Sequence, residues 1–393
     1  MKTLAHLIEP LTLTDFFTTY WTQKGLHLSG HSQTDHSQKF QSLFGWQDLN
    51  YLLNYHRLTE PDLRFSMQGK SLTTDIDRQN WSDRIRQGAT LIVNGIHHRV
   101  PKVAQFAAQL RHDIGLETHV NLYCSPAEQQ GFDCHYDTHE VFILQIEGEK
   151  EWFVYSPTVL HPLPNMASST QTPPEEPPYL HCVLKPGDVL YIPRGHWHYA
   201  IAREQPSLHL TVGLECQTGL DWLGWLVDQL QQNPAWRQTL PTALNGETTA
   251  LQQHLLSLRD NLVEVLFQAE QVDPYLDALQ LRYQPSLRVD LPAQLGSDLF
   301  PDGFQTVYHW STLHRLTLQL LGQEHYQLRI GTKQIDLKGI PAPLAEYLFN
   351  RDRFSLLDIA DCSPDLDLEA DLAPLLHRLI TESVLYIGEP AQV

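Results

Sequence analysis

His135-Tyr136-Asp137, followed later in the chain by Lys185-Pro186-Gly187-Asp188-Val189-Leu190-Tyr191-Ile192-Pro193-Arg194-Gly195-His196-Trp197-His198, is the stretch that decides the fold. In an extended strand, residues i and i+2 point the same way, so His135 and Asp137 can grip a single ion. His198, distant in sequence, must then arrive on a neighbouring strand, as it would in a small β-barrel. Two imidazoles and one carboxylate take one face of an octahedral ion and leave the opposite face open, the arrangement of non-haem Fe(II) oxygenases. The chain has 21 histidines, so the triplet alone carries little weight. Its surroundings add that weight. Gly131 precedes the first pair, Pro186-Gly187-Asp188 makes a tight turn into a strand, and Pro193-Arg194-Gly195 makes a second turn that delivers His198.

Outward from the motif, strands dominate from about residue 90 to 215. His119-Val-Asn-Leu-Tyr123 is one. Glu140-Val-Phe-Ile-Leu-Gln-Ile146 and Lys150-Glu-Trp-Phe-Val-Tyr155 flank Glu147-Gly148-Glu149, which reads as a hairpin turn. After a Pro-rich loop from Thr172 come Val189–Ile192, His198–Ala202 and Ser207–Val212. Short strands punctuated by Gly and Pro predict a double-sheet jelly roll. The order Pro-Gly-Asp, then Pro-x-Gly-x-x-His, is that of the second metal-bearing hairpin of cupin barrels.

The first hundred residues read as mostly helical segments, with a longer helix over Val103–His112 ending near Gly115. Helices return after Cys216, where Leu251, Leu255, Leu258, Leu262 and Leu266 form one apolar stripe. Such a stripe packs within its own domain or pairs with a second subunit. Leu316–Leu320, Tyr326–Ile330 and Gln334–Leu337 alternate as strands, and helices near Leu344–Phe349 and Leu368–Glu382 follow, a winged-helix-like pattern. The expected fold class is α+β. Residues 1–215 hold N-terminal helices and the barrel (core about 90–215), 216–294 a helical dimerisation domain, and 295–393 a winged-helix-like domain.

A chain of 393 residues exceeds one ordinary core, which fits two or three domains. At 42% hydrophobic and 19% charged it is globular rather than disordered. A net charge of −19 argues against direct nucleic-acid binding and favours a basic partner. Five scattered cysteines without CxxC pairs fit a reduced compartment. The N-terminal segment lacks a signal-peptide pattern and no apolar run reaches bilayer length, so the expectation is a cytoplasmic protein with no membrane association.

Other histidines compete with the triad. His139 shares strand parity with His135 and Asp137, and His196 shares parity with His198. Each can orient a ligand by hydrogen bonding. Both rank below the chosen set, since a His directly after Gly sits in the turn. His97, His98, His161 and His181 lack ligand spacing and read as surface or loop residues. Cys124 and Cys134 read as small buried residues.

Asn121-Leu-Tyr-Cys-Ser-Pro126, His135-Tyr-Asp137-Thr-His-Glu-Val-Phe-Ile-Leu-Gln-Ile-Glu-Gly-Glu-Lys150-Glu-Trp152, Arg194-Gly-His-Trp-His198 and His209-Leu-Thr211 together resemble the ribosomal-oxygenase group of JmjC-type 2-oxoglutarate dioxygenases. The resemblance implies a double-stranded β-helix JmjC core, with Fe(II), 2-oxoglutarate and O₂ as cofactor and cosubstrates. By its pattern His135, Asp137 and His198 match the iron ligands. Lys150 matches the residue that pairs with the distal carboxylate of 2-oxoglutarate, and Asn121 and Thr211 match polar positions that help hold it. The residues agree at Lys150: it keeps step with Trp152 and Val154 on an apolar face, where an unmatched charge is costly and a dianion would neutralise it. Tyr123 shares a strand face with Asn121 and is expected to help line the pocket.

Two departures concern the substrate rather than the metal. Trp21-Thr-Gln-Lys24 is followed by Gly25, where the group often has Pro, and residues 340–393 carry ten Asp or Glu against three Arg and no Lys. The expected function is hydroxylation of a side chain of a basic protein, with ribosomal proteins as candidates, by a homodimer. A metal-dependent small-molecule cupin dioxygenase and a non-catalytic interaction module are the rivals. Neither has a reason to place a basic group at Lys150.

Overall fold

The computed structural model describes residues 2–30, 39–72, 80–242, 246–267, 274–276, 278–279, 289–291, 293–296, 299–310, 316–330, 333–362 and 367–388. The chain forms two compact units, one reaching Cys216 and the other running from Gln217.

In the first unit eleven strands follow in chain order: β1 (Leu26–Leu28), β2 (Leu63–Met67), β3 (Lys70–Leu72), β4 (Thr90–Val93), β5 (Glu117–Ser125), β6 (Glu140–Glu147), β7 (Lys150–Val154), β8 (Leu180–Leu184), β9 (Val189–Ile192), β10 (His198–Ala202) and β11 (Ser207–Glu215). They make an eight-stranded sheet, β1-β9-β6-β11-β5-β4-β2-β3, and a three-stranded sheet, β10-β7-β8. This is the jelly roll expected from the sequence. The first hundred residues are less helical than expected, since they supply four strands to the larger sheet as well as helices such as α1 (Lys2–Ile8), α2 (Leu13–Thr19) and α3 (Trp46–Tyr55).

Strand parity divides the larger sheet's two faces between two cores. On β6, Phe142 and Leu144 face outward into a cluster with Phe16, Leu52, Val120, Leu122, Leu210 and Val212. Val141 and Ile143 face inward and meet Trp152, Val154, Leu184, Leu190 and Ile192 between the sheets. A strand covered on both faces must be apolar at both parities, and β6 is buried over seven of its eight residues. Each such large side chain contributes about 1.5–3 kcal/mol on leaving water.

The turn at Glu147-Gly148-Glu149 is not a hairpin. β6 pairs with β9 and β11, whereas β7 pairs with β8 and β10, so these residues carry the chain from one sheet to the other. Gly148 has φ +66°, and a Cβ there would run into the Pro206 carbonyl. Both the backbone conformation and the space demand glycine. Gly148→Ala should therefore destabilise the protein by about 1–3 kcal/mol, read as a lowered melting temperature; an unchanged midpoint would contradict this packing.

The Pro186-Gly187-Asp188 turn also joins the two sheets. Asp188 accepts the backbone N–H groups of Gly30 at 2.7 Å and Lys185 at 3.0 Å, and its carboxylate lies 3.1 Å from His27 Nε2. Burial pushes its pKa up, but the His27 and backbone bonds prevail and hold it below the usual carboxylate range. The acidic residue of this motif thus ties the β1 edge to the turn.

In the second unit, helices cover Gly219–Leu230 and Thr249–Phe267. Strands β12 (Val307–Trp310), β13 (Leu316–Gly322), β14 (His325–Ile330), β15 (Lys333–Lys338), β16 (Arg353–Ser355) and β17 (Leu385–Ile387) form two sheets, β16-β12-β17 and the meander β13-β14-β15. A core around Tyr308, Leu328, Ile335, Leu348 and Leu376 joins them to helices Ala342–Phe349 and Ala373–Thr381. No helix among the described residues is long and apolar enough to cross a membrane.

Candidate metal centre

His135 and His198 are brought together by a reciprocal backbone bridge, His198 N to His135 O at 2.7 Å and His135 N to His198 O at 3.1 Å. Gly195 donates its N–H to the Asp137 carbonyl at 2.9 Å, docking the second turn on the first segment. These main-chain bonds place three ligand atoms, one each from His135, Asp137 and His198, within 4.8 Å of one another. The His198 Nε2 to Asp137 Oδ2 distance is 3.7 Å.

Each imidazole is oriented by its other nitrogen. His135 Nδ1 donates to the Asp133 carbonyl at 2.8 Å and His198 Nδ1 to the His196 carbonyl at 3.0 Å. Both Nε2 atoms are thereby left for an ion, the arrangement that fixes tautomer and ring direction in metal sites. Burial, then His135, lowers the His198 pKa to about 4, so the ring is neutral and able to ligate. Burial pushes Asp137 upward, but His139, His135 and His198 together hold its pKa below normal, which keeps it an anion. Two imidazoles and one carboxylate suit Fe(II).

The centre opens on a cavity of about 270 Å³ lined by Arg64, Tyr123, Lys150, Trp152, His209 and Thr211, among others. Lys150 is buried, and its Nζ donates to Ser125 Oγ at 2.9 Å. Burial lowers its pKa to about 7. His209 stacks on Tyr123 with centroids 5.0 Å apart, and burial followed by the Lys150 charge drives its pKa well below that of a free imidazole. Arg64 Nε, Trp152 Nε1 and His209 Nδ1 are buried polar atoms without a hydrogen-bond partner among the described residues, and all three residues line this cavity. Unsatisfied buried polar groups are rare in native proteins, so three converging on one cavity mark a ligand site.

Of the residues singled out from the sequence, His135, Asp137, His198, Lys150, Thr211 and Tyr123 all line the cavity. Asn121 sits opposite Thr211 in the β5–β11 register, but its Oδ1 accepts the Gly95 N–H at 2.9 Å and it does not join the lining. His196 turns its ring to the Tyr179 hydroxyl at 2.7 Å and serves the centre only through its carbonyl. His139 packs its ring against that of His119, 4.8 Å between centroids, and is not one of the three clustered ligands of the triad. His97 is not a surface residue: it is half-buried and accepts the Val120 N–H at 3.1 Å. Cys134 is likewise only half-buried. Ser125 and His209 escaped notice, although Ser125 has the parity of Asn121 and His209 that of Thr211; Arg64, on β2, carries no local signal.

Residues 96–221 match the family model described as JmjC domain. The chain is 30% identical over 307 residues to the bifunctional lysine-specific demethylase and histidyl-hydroxylase NO66 of Drosophila persimilis, covering 72% of this chain and 44% of that one. It is 32% identical to ribosomal oxygenase 2 of Mus musculus over 264 residues, 62% of this chain and 56% of that one. The chain thus spans about half the length of these curated relatives. The X-ray structure of E. coli ycfD superposes with a TM-score of 0.63 at 18% identity, covering 96% of this chain and 98% of that one. A structure of YcfD, a ribosomal oxygenase from Escherichia coli, in complex with cobalt and 2-oxoglutarate has TM-score 0.60 at 18% identity, covering 97% and 99%. The resemblance to JmjC-type ribosomal oxygenases read from the motifs is borne out by these similarities.

Proposed function

We propose that this chain is an Fe(II)- and 2-oxoglutarate-dependent dioxygenase that hydroxylates a side chain of a basic, ribosomal protein. The observation that carries the proposal is the pairing of the His135–Asp137–His198 cluster with a buried Lys150 in one cavity. His135, Asp137 and His198 would hold the iron. Lys150, with Ser125 beside it, would receive the distal carboxylate of 2-oxoglutarate, and Thr211 would help fix its position. Iron, when bound, supplies oxygen activation coupled to oxidative decarboxylation of 2-oxoglutarate. Trp152, Val141 and Ile143 keep bulk water from the reacting centre, and the loops at the rim select the substrate. Among the described neighbours of the Lys150 ammonium are the Ser125 hydroxyl and the Trp152 ring, with no carboxylate beside it. A small-molecule cupin or a non-catalytic module gives no account of that charge.

The partner assignment rests on charge and on the relatives. A net charge of −19 draws basic proteins electrostatically, and two relatives bear the names ribosomal oxygenase and histidyl-hydroxylase. Leu255 and Leu266 are 47% and 42% exposed on the helix Thr249–Phe267, which supports our reading of 216–294 as a dimerisation domain. The β-meander and flanking helices of 295–393 support a winged-helix-like end whose acidity disfavours direct nucleic-acid binding. Five free thiols fit the cytoplasm.

Purified protein supplied with Fe(II), ascorbate, 2-oxoglutarate and O₂ should form succinate, and basic ribosomal proteins should gain one oxygen by mass spectrometry. Succinate formation without any modified protein would remove the substrate assignment; no succinate under any condition would remove the activity.

A further inference from the structure

The inward face of β5, β11 and β6 continues past the candidate iron centre. Along β5 it presents Ser125, Tyr123, Asn121 and His119 in step, and along β11 His209, Thr211, Gly213 and Glu215. His119 lies four residues from Tyr123, about 13 Å along a strand. There a second set of ligand atoms gathers: one each from His119, His139 and Glu215, all within 4.8 Å of one another. The His119 and His139 rings lie 4.8 Å apart at 65°, and His119 Nδ1 is 3.7 Å from Glu215 Oε1. His119 and Glu215 are thus at ion-pair distance, longer than a hydrogen bond, with the His139 ring against that of His119.

The sheet beneath is shaped for them. Gly213 stands directly opposite His119 in the β5–β11 register, and a Cβ there would fall on the His119 ring and press on that of His139. A glycine inside a long central strand weakens it and marks a close approach. Here the approaching groups are the two imidazoles. The glycine thus leaves room for both imidazoles to lie over the strand, beside a carboxylate from the same strand.

We propose that His119, His139 and Glu215 form a second divalent transition-metal site on this sheet face, distinct from the His135–Asp137–His198 centre. Two imidazoles and a carboxylate select a borderline ion such as Zn²⁺ or Co²⁺ over Mg²⁺ or Ca²⁺, which prefer all-oxygen ligands. Three protein ligands leave at least one coordination position for water. His139 is two residues from Asp137, so an ion here would tie the end of the Asp137 segment to β5 and β11.

Cobalt(II) alone, titrated into the metal-free full chain, tests this by stoichiometry and visible absorption, without any turnover. The unsubstituted chain should bind two ions. The double variant His135→Ala/His198→Ala should keep one, and Glu215→Gln and His119→Ala should each lose one while keeping the other. Glu215→Gln is the safer variant, because this side chain is 47% exposed; melting curves establish that each variant is folded. Loss of all cobalt binding in His135→Ala/His198→Ala would overturn the proposal, as would two ions retained by both folded Glu215→Gln and His119→Ala. A preference for Mg²⁺ at the retained site would overturn the donor assignment.

Discussion

Asp137→Ala is expected to lower succinate formation by more than about 100-fold, because changes to groups that merely orient metal ligands already cost 10–100-fold. The imidazoles should stay in place: His135 and His198 are held by Asp133 and His196 carbonyls and by their own reciprocal backbone bridge, none of which involves the Asp137 side chain. What is lost is one ligand and the only carboxylate of the triad. Asp137→Asn, which keeps the shape and removes the charge, should fall between the two. Metal content and turnover measured together on folded protein check this, and full activity in Asp137→Ala would sink the assignment of the centre.

Lys150→Met should produce two effects of opposite sign. It should weaken 2-oxoglutarate binding by roughly 10–100-fold, the worth of a hydrogen bond to a charged group, seen as a raised KM. It should also raise the melting temperature of the ligand-free protein near pH 6. The reason is the depressed pKa, about 7 in the folded chain against 10.5 for an ordinary lysine. The unfolded chain holds more protons between those values, so the ligand-free fold gains stability as pH rises from 7 to 10.5 and bears the full cost of the buried ammonium below 7. Methionine removes that cost. The same titration predicts that 2-oxoglutarate affinity falls as pH rises above 7, approaching tenfold per pH unit, since a proton must then be taken up on binding. An unchanged KM in Lys150→Met, or affinity that increases with pH, would take Lys150 out of the cosubstrate role.

Much of the site was legible because its residues lie close together in sequence on strands whose parity is strict. His135 and Asp137 share a face by spacing alone, and the Pro and Gly that bracket His198 mark the turn that returns it. Lys150 stood out because an ammonium in step with Trp152 and Val154 conflicts with its surroundings. Ser125 and His209 obey the same parity but gave no such conflict. Arg64 lies beyond any local pattern, since β2 reaches the cavity only by extending the larger sheet.

The misread turn at Gly148 has the same origin. Two strands joined by a short Gly-containing link look alike in sequence whether they pair with each other or part into different sheets; the backbone of Pro206 and Ser207, distant in the chain, closes on the link only in the folded protein. His139 makes the point from the other side: its parity allowed it a place in the triad, and contact with His119 takes it elsewhere. By itself the sequence determined the jelly roll and singled out the three residues of the candidate metal centre, because alternation and turn residues act over a few positions. The tertiary structure decided which strands pair, which polar atoms converge on the cavity and where the remaining histidines go, because those outcomes depend on packing between segments far apart in the chain.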